Sequence, residues 1–360
     1  MSFEMTSLAD PAPDFDEVID VRSPSEFAED HIPGALNLPV LGDAERARVG
    51  TIYVQEDSFL ARKIGAALVA RNAAAHLEGP LADRGGGWRP LVYCWRGGQR
   101  SGSFASILAQ IGWRADTLAG GYQSYRRLVS KALYKNEFPA RVILLDGNTG
   151  TAKTELLHLL RTRGVQTIDL EGMANHRGSA LGGQGEQPSQ KGFESRLARE
   201  VAALDPDRPV VIEAESSRIG RLNLPARVFE AMKSAHRLQI AAPTQARAAY
   251  LTRAYRDLTS DFEALSLRLD RLVRLQGHDR VLRWKTMARD GAFETLAEEL
   301  IRDHYDPRYQ KVRASRERQP TKIVETPGLD PSDLEALADQ IAAETKAPSG
   351  QHRALGETCQ

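Results

Sequence analysis

A cysteine followed closely by glycines and arginines is the first group of residues that could do chemistry. In the segment YCWRGGQRSGS, Cys94 is separated by five residues from Arg100, and the intervening residues include Arg96, Gly97 and Gly98. Such a loop can turn its backbone N–H groups and the start of the following helix inward, which forms an anion site and lowers the pKa of the thiol. The spacing therefore predicts a nucleophilic thiolate beside an oxyanion cradle. A buried structural cysteine is the alternative.

A second group is a glycine- and threonine-rich segment after the hydrophobic run VILLD. Its residues are Gly147, Asn148, Thr149, Gly150, Thr151, Ala152, Lys153 and Thr154. A Walker A phosphate loop has this context, with backbone amides and the lysine around the phosphates and the threonine hydroxyl near a Mg²⁺. Ala152 stands where the pattern has glycine, which disfavours close approach of ordinary nucleotide phosphates.

Polar side chains follow two further hydrophobic runs, VQTI and PVVI. The candidate metal or substrate contacts are Asp169, Glu171, His176, Arg177, Glu213 and Glu215. The carboxyl ends of parallel strands meet at one edge of a sheet, where ligands bind. Either glutamate of the second run could hold a metal through water, or pair with Arg218 or Arg221 instead. No metal ion is firmly assigned.

Basic residues recur at spacings of three to four in the stretch 268–285. The candidate nucleic-acid-binding residues are Arg268, Arg271, Arg274, Arg280, Arg283 and Lys285. A basic stripe on a helix binds phosphate backbones, and aromatic residues stack on unpaired bases, for which Tyr250, Tyr255 and Trp284 are candidates. The formal net charge is 0, but residues 1–60 hold 13 acidic against 3 basic residues, whereas residues 246–289 hold 10 basic against 5 acidic residues. A solvated helix face is the alternative.

Two α/β domains are expected to position these loops, because strand and helix patterns alternate along the 360 residues. We predict a domain at 14–130, a second at 138–330 with a parallel sheet and a helical arm at about 244–306, and a disordered tail at 347–360. The 41% hydrophobic content is typical of globular chains, and no run of 18 apolar residues occurs. With only two cysteines, Cys94 and Cys359, we expect reduced thiols, no disulfide framework and no membrane span.

The region around Cys94 resembles the rhodanese domain. Asp20-Val21-Arg22, the following SPSEF and His31-Ile32-Pro33-Gly34-Ala35 match its signature, and Cys94 stands where the active-site cysteine is expected. The usual sulfurtransferase loop has four residues between cysteine and arginine, whereas five also occur in dual-specificity phosphatases. A phosphatase is therefore an alternative, although Tyr93 stands where those enzymes usually carry histidine.

Together with GNTGTAKT, DLEGMANHRGS and EAESSRIGRLNLP, these motifs resemble the tRNA 2-selenouridine synthase family over residues 14 to about 325. The resemblance implies an N-terminal rhodanese-like domain plus a C-terminal P-loop α/β domain with a helical arm. It implies a selenotransferase with geranyltransferase activity, which replaces sulfur by selenium in wobble-position 2-thiouridine of tRNA. The cysteine usage predicts a cytoplasmic location for this enzyme. Selenophosphate and geranyl diphosphate are the implied substrates, and S-geranyl-2-thiouridine is the intermediate.

The same resemblance implies that Cys94 handles selenium while Arg100 and the loop hold the phosphate end of selenophosphate. It implies that Lys153 and Thr154 bind the diphosphate, that Mg²⁺ can take part, and that no tightly bound cofactor is needed. A monomer is compatible with the sequence. A P-loop kinase or NTPase with a rhodanese-like or phosphatase-like regulatory domain is the alternative, and a non-catalytic RNA-binding module is a third.

Overall fold

The computed structural model describes residues 2–8, 15–176, 186–314 and 321–346, without the side chains of 312–314. The chain divides into two compact units. The first comprises Met1–Phe138, Pro188–Ala203 and Pro225–Arg227, and the second comprises Pro139–Gln187, Leu204–Leu224 and Val228–Gln360. Arg177 and the tail predicted at 347–360 lie outside the described residues.

The first unit contains a five-stranded parallel sheet. Its strands are β1 (Ser2–Phe3), β2 (Glu17–Asp20), β3 (Leu36–Asn37), β4 (Pro90–Tyr93) and β5 (Asp116–Leu118), in the order β1-β5-β4-β2-β3. Its first helices are α1 (Pro24–Glu29), α2 (Asp43–Gln55), α3 (Ser58–Glu78), α4 (Gln99–Ile111) and α5 (Gly121–Ser130), followed by a π-helical turn at Lys131–Lys135. The central strand β4 is buried along its whole length, because its four residues, PLVY, form a continuous apolar run.

The second unit contains another five-stranded parallel sheet and a short antiparallel pair. The sheet has the order β12-β11-β6-β8-β7, and β9 pairs with β10. The strands are β6 (Val142–Gly147), β7 (Gln166–Ile168), β8 (Val210–Glu213), β9 (Arg218–Ile219), β10 (Leu222–Asn223), β11 (His236–Ala241) and β12 (Thr321–Glu325). The expectation of an α/β fold with parallel sheets is confirmed.

The helices after the first sheet are α6 (Lys153–Thr162), α7 (Leu170–Met173), α8 (Gln190–Ala202), α9 (Ala226–Lys233), α10 (Thr244–Ala254), α11 (Arg256–Thr259), α12 (Phe262–Asp270), α13 (Val273–Gln276), α14 (His278–Arg289), α15 (Phe293–Leu300), α16 (Asp306–Ala314) and α17 (Pro331–Lys346). A π-helical turn, Ile301–Tyr305, joins α15 to α16. Helix α8 packs in the first unit, although β7 and β8 on either side of it belong to the second sheet.

Separate hydrophobic clusters support the sheets and the arm. In the first unit Val92 of β4 packs with Phe104 and Leu108 of α4, and in the second unit Leu145 of β6 packs with Leu156 of α6. The arm has its own cluster, which includes Trp284. The cysteine loop and the phosphate loop therefore each connect a buried strand to a helix, and one face of that helix packs in a hydrophobic core. None of the helices in the described ranges is long and apolar enough to cross a membrane.

Candidate functional site

Cys94 lies directly after β4, at the N-terminal end of α4. Its side chain is only 3% exposed. The Gly98 backbone N–H donates a hydrogen bond to Cys94 Sγ at 3.3 Å, and Ser101 Oγ donates another at 3.2 Å. Since Ser101 is in the first turn of α4, the thiol accepts donors from the loop and from the helix. This arrangement favours a sulfur anion.

The pKa of Cys94 lies below its ordinary value. Burial alone would raise this pKa, but hydrogen bonds from the Ser101 side chain and from the Ser101 and Gly98 backbone stabilise the anion, with a smaller contribution from the charge of Arg100. The hydrogen bonds and the charge outweigh the burial. Cys94 is therefore a more acidic thiol than a free cysteine, as a nucleophile requires.

Two glycines allow the cysteine loop to close. Gly97 has φ +66°, and a Cβ there would lie 2.6 Å from the Leu118 carbonyl oxygen. Gly121, at the start of α5, has φ +56°, and a Cβ there would overlap the Cys94 carbonyl oxygen. That carbonyl accepts a hydrogen bond from the Tyr122 backbone N–H at 2.8 Å. The loop is thus fixed by backbone contacts that a side chain would exclude.

Arg100, predicted to hold the phosphate of a donor, is bound to a carboxylate in this structure. Its Nη1 lies 2.8 Å from Glu26 Oε2, and Nε of Arg46 lies 2.9 Å from the same oxygen. Burial would raise the pKa of Glu26, but the Arg100 hydrogen bond and charge, with further partners, hold it below its ordinary value. Sequence reasoning missed Glu26, although it stands in the SPSEF motif. Arg96, Gly97 and Gly98 are exposed around the loop.

A buried ion pair supports the same region. Arg22 Nη2 and Asp20 Oδ2 are 2.7 Å apart, and both side chains are essentially inaccessible. The Arg22 guanidinium also lies 4.1 Å from the centre of the Tyr122 ring and donates to the Asp30 carbonyl oxygen at 2.6 Å. The Tyr122 backbone N–H donates to the Cys94 carbonyl oxygen. The Asp-Val-Arg motif therefore contacts the cysteine loop through Tyr122.

The phosphate loop runs from the end of β6 to the start of α6. Thr151 N–H and Thr151 Oγ1 both donate to the Asn148 carbonyl oxygen, and Lys153 Nζ donates to the Gly147 carbonyl oxygen at 3.1 Å. Gly150 has φ +87°. The predicted loop residues are therefore brought together in a closed turn before a helix N-terminus, which is the geometry of an anion site.

Ala152 adopts a left-handed backbone conformation, with φ +57°. For a residue with a Cβ this costs about 1–2 kcal/mol. Ala152 is 4% exposed and belongs to the same hydrophobic core as Leu156. The structure thus gives the reason for glycine in the usual pattern, and shows that alanine is accommodated here in a strained conformation.

An arginine and an aspartate from the arm hold the phosphate loop, and sequence reasoning missed both. Arg247 of α10 is 4% exposed, and its Nε and Nη2 donate to the Thr149 carbonyl oxygen at 2.9 and 2.8 Å. Its Nη2 also lies 2.7 Å from Asp306 Oδ1, which accepts from Asn148 Nδ2 at 2.8 Å. Nothing in the local sequence distinguishes Arg247 from the other arginines of the arm. Its role depends on tertiary packing.

Three of the predicted carboxylates lie near the start of α6. Thr154 Oγ1 donates to Glu171 Oε2 at 3.4 Å, and the Glu171 N–H donates to Glu213 Oε1 at 2.5 Å. Glu213 is 1% exposed, and its Oε2 has no hydrogen-bond partner. Burial, with the charges of Asp169 and Glu171, raises the pKa of Glu213 well above its ordinary value. Burial and Glu171 also raise the pKa of Glu215 to about 8, against the opposing charge of Lys153.

The other polar residues of this edge have structural partners. Asp169 Oδ1 accepts from the Gly172 N–H at 2.7 Å and caps α7. His176 is half-buried, and burial lowers its pKa against the opposing charge of Glu171. Within the described residues, no group of three or more His, Cys, Asp or Glu side chains is arranged to hold a metal ion.

Two neighbouring cavities lie beside the phosphate loop. The larger, of about 300 Å³, is lined by Thr149 to Glu155 together with His158, Glu171, Gly172, Tyr250, Leu251, Ala254, Tyr255 and Tyr309. The smaller, of about 70 Å³, is lined almost entirely by apolar surface. Thr149, Leu251 and Tyr255 line both cavities. Both predicted base-stacking tyrosines, Tyr250 and Tyr255, therefore line the larger cavity.

The basic stretch of the arm is not one helix, because the chain is interrupted near Arg271 and at Gly277, which has φ +84°. Several of its cations have local partners: Arg280 with Gln276, Arg283 with Glu299, and Lys285 with Asp270. Arg271 and Arg274 are exposed, and Arg268 is half-buried with a partner of its own. The expectation that Trp284 stacks on a base is wrong, because its ring is fully buried and Nε1 donates to Glu299 Oε2 at 2.9 Å.

The fold and the two loops define a class of protein in which a rhodanese-like unit and a P-loop unit share one chain. Comparisons with known families agree. Residues 5–128 match the rhodanese-like domain, and residues 140–268 match the domain described as the tRNA 2-selenouridine synthase AAA domain.

Curated relatives named tRNA 2-selenouridine synthase extend this match. The Nitrosomonas europaea protein is 34% identical over 64% of this chain and 61% of its own length, and the Bdellovibrio bacteriovorus protein is 36% identical over 64% and 62%. These alignments span about three fifths of those relatives. The Pseudomonas fluorescens protein is 32% identical over 86% of this chain and 91% of its own length. The chain belongs to the tRNA 2-selenouridine synthase family, which confirms the resemblance in its sequence.

Proposed function

We propose that this chain replaces sulfur by selenium in 2-thiouridine at the wobble position of tRNA. The observation that carries the proposal is the Cys94 thiol, which accepts hydrogen bonds from Gly98 N–H and Ser101 Oγ in a chain that also has a phosphate loop. Membership of the family supplies the reaction class. The reaction needs an alkylation site and a selenium-donor site, and the two loops are suited to these separate tasks.

The phosphate loop is the proposed site of S-alkylation. Geranyl diphosphate would place its diphosphate on the loop amides and Lys153, next to Thr154. The sulfur of 2-thiouridine attacks C1 of the geranyl group, so that the S–C1 bond forms, the C1–O bond breaks and diphosphate leaves. The N3 proton of the base passes to solvent, which leaves neutral S-geranyl-2-thiouridine. Unmodified, the C2 sulfur of 2-thiouridine is a poor leaving group. After alkylation it can leave as geranyl thiolate, which is a better leaving group.

The cysteine loop is the proposed site of selenium delivery. Cys94 thiolate attacks phosphorus of selenophosphate, which forms an S–P bond, breaks the P–Se bond and releases selenide. Water then hydrolyses the S–P bond and returns the thiolate with phosphate. Selenide adds to C2 of the S-geranyl uridine, the C2–S bond breaks and geranyl thiolate leaves. Gly98 and the loop amides would hold the phosphate, and Arg100 would do so after exchanging its bond to Glu26.

A Mg²⁺ ion and the nucleic acid are further parts of the proposal. Thr154 Oγ1 and Glu171 Oε2 lie 3.4 Å apart. These two oxygens would hold Mg²⁺ beside the diphosphate, and the ion would offset the negative charge of the diphosphate. No tightly bound cofactor is required. The exposed Arg271 and Arg274 are the arm residues best placed to contact tRNA phosphates. A cytoplasmic monomer acting on free tRNA fits this reaction.

Mass spectrometry of nucleosides tests the proposal. Purified protein is incubated with 2-thiouridine-containing tRNA, geranyl diphosphate and selenophosphate, and the wobble nucleoside is examined for the selenium isotope pattern. We expect selenation in the wild type, accumulation of the S-geranyl nucleoside in Cys94→Ala, and unchanged 2-thiouridine in Lys153→Ala. Cys359→Ser and the exposed Lys63→Ala are matched controls that should behave as the wild type.

Two outcomes would overturn parts of the proposal. Unchanged 2-thiouridine in every sample would remove the synthase activity, and steady ATP turnover lost in Lys153→Ala would then support the P-loop NTPase alternative. Unchanged 2-thiouridine in Cys94→Ala, with accumulation of the S-geranyl nucleoside in Lys153→Ala, would reverse the assignment of the two steps to the two loops. Loss of geranylation in Cys94→Ala with selenation retained would also overturn that assignment.

A further inference from the structure

The small cavity beside the phosphate loop has an unusual lining for a site next to a predicted anion-binding loop. Its surface is almost entirely apolar, and helices α12 and α15 contribute Leu265, Leu296 and Leu300 to it. Its volume of about 70 Å³ is several times the roughly 10–15 Å³ that one water needs. Such a lining offers a water few hydrogen-bond partners, so the cavity is suited to hydrocarbon.

The position of this cavity connects it to the phosphate loop. Thr149 belongs to the loop itself, Leu251 and Tyr255 lie on or directly after α10, and all three line both cavities. Arg247, one turn before Leu251 on α10, bonds the Thr149 carbonyl oxygen and so fixes this shared rim. A ligand with phosphate at one end and an apolar chain at the other would fit both cavities together.

The same lining argues against a nucleotide. A ribose and a base carry hydrogen-bonding groups whose burial without partners is costly. Besides the rim residues, Thr252, Thr259 and Tyr305 are the polar side chains of the cavity's lining. The two threonine hydroxyls bond backbone carbonyls of their own helices, and the Tyr305 ring packs against His304. The cavity would therefore reject a nucleoside and accept a hydrocarbon.

We infer that the apolar cavity binds the hydrocarbon chain of the diphosphate substrate, and that Leu296 and Thr252 on its wall limit the length of that chain. This inference rests on the proposed function for the diphosphate site, and it adds the residues that select the chain. Leu296 is 4% exposed, so a larger side chain there would enter the cavity. Thr252 is half-buried and approaches the cavity from α10.

Calorimetric binding without tRNA tests the inference separately from catalysis. The probes are inorganic diphosphate, the unreactive S-thiolo analogues of dimethylallyl, geranyl and farnesyl diphosphate, and ATP. Each methylene group that leaves water contributes about fourfold in affinity. Allowing for the cost of ordering the chain, we expect the geranyl analogue to bind at least about 100-fold more tightly than diphosphate. ATP is expected to bind no more tightly than diphosphate.

Three variants change the cavity and one serves as the control. In Leu296→Phe and Thr252→Phe, the geranyl analogue should lose at least about tenfold in affinity, while inorganic diphosphate binds as in the wild type. Leu296→Ala should shift the preference towards the farnesyl analogue. Leu282→Phe, at a leucine that is 64% exposed on α14, is the matched control and should bind every probe normally. Thr252→Phe keeps the test valid if Leu296→Phe does not fold.

The results separate this inference from the proposed function. Equal affinities for diphosphate and the geranyl analogue in the wild type, or unchanged chain preference in both Thr252→Phe and Leu296→Ala, would overturn the inference. Tighter binding of ATP than of the geranyl analogue would also overturn it. Tight and chain-selective binding without any modification of tRNA would leave the inference standing and remove the proposed function.

Discussion

Replacing Ser101 by alanine should slow the reactions of the Cys94 thiol while leaving the fold intact. Ser101 Oγ donates to Cys94 Sγ at 3.2 Å in a buried environment. Hydrogen bonds to charged groups contribute about 1.5–3 kcal/mol, and sulfur is a weak acceptor. We take the lower end of this range. Since about 1.4 kcal/mol corresponds to a factor of ten, the thiolate population at a pH below the thiol pKa should fall roughly tenfold.

The sign of the pH effect follows from the lowered pKa of Cys94. Burial raises that pKa, and the hydrogen bonds of Ser101 and Gly98 with the charge of Arg100 lower it to a net value below normal. The thiolate therefore stabilises the fold above the pKa of the unfolded chain, and that contribution is lost as pH falls through the folded pKa. Ser101→Ala removes the side-chain hydrogen bond that lowers the pKa of Cys94. The pH at which the alkylation rate of the thiol is half its maximum should therefore rise.

The assay is the rate of iodoacetamide alkylation between pH 5 and 10, measured in a Cys359→Ser background so that Cys94 is the one remaining thiol. Ser106→Ala is the matched control, because Ser106 lies on the same helix and its hydroxyl bonds the Gly102 carbonyl oxygen, away from the thiol. A wild-type rate profile for folded Ser101→Ala would refute the reasoning. An equal change in Ser106→Ala would show that the effect comes from the helix.

Three further variants test other parts of the structure. Arg22→Ala leaves the buried Asp20 charge without its partner and should lower the free energy of unfolding by about 3–5 kcal/mol. Urea titration should show this loss, whereas breaking the exposed pairs of Arg163 should cost about 1 kcal/mol or less. Gly121→Ala forces a Cβ onto the Cys94 carbonyl oxygen, so a reduced melting temperature with lost thiol reactivity is expected, and wild-type values for both would contradict the loop geometry. Lys153→Ala should weaken binding of inorganic diphosphate at least about tenfold by calorimetry, and unchanged affinity would contradict the phosphate site.

Local patterns in the sequence were sufficient for the positions of both loops. Hydrophobic runs such as VILLD and PLVY form the central strands because continuous apolar residues require burial on both faces. Glycines and polar residues after those runs end each strand, and helical periodicity resumes after them. These are short-range properties, so Cys94 and Lys153 could be placed at strand-to-helix turns without tertiary information.

The predicted helical arm shows where that approach fails. Spacing alone put the arginines of 268–285 on a stripe, but breaks near Arg271 and at Gly277 distribute them over three helices and the turn between the first two. The aromatic ring of Trp284 was expected to meet bases, yet the arm needs it as its core. A periodic pattern specifies which residues share a face, but only the packing of that face determines whether it meets solvent or protein.

The sequence by itself determined the two α/β sheets, the cysteine and phosphate loops and the family. Only the tertiary structure decided that Glu26 binds Arg100, that Arg247 and Asp306 hold the phosphate loop, and that an apolar cavity lies beside that loop. The physical reason is the distance along the chain: Glu26 and Arg100 are 74 residues apart, and Arg247 is 98 residues from Thr149. Strands and loops follow from neighbouring residues, whereas ion pairs and cavities depend on residues that only folding brings together.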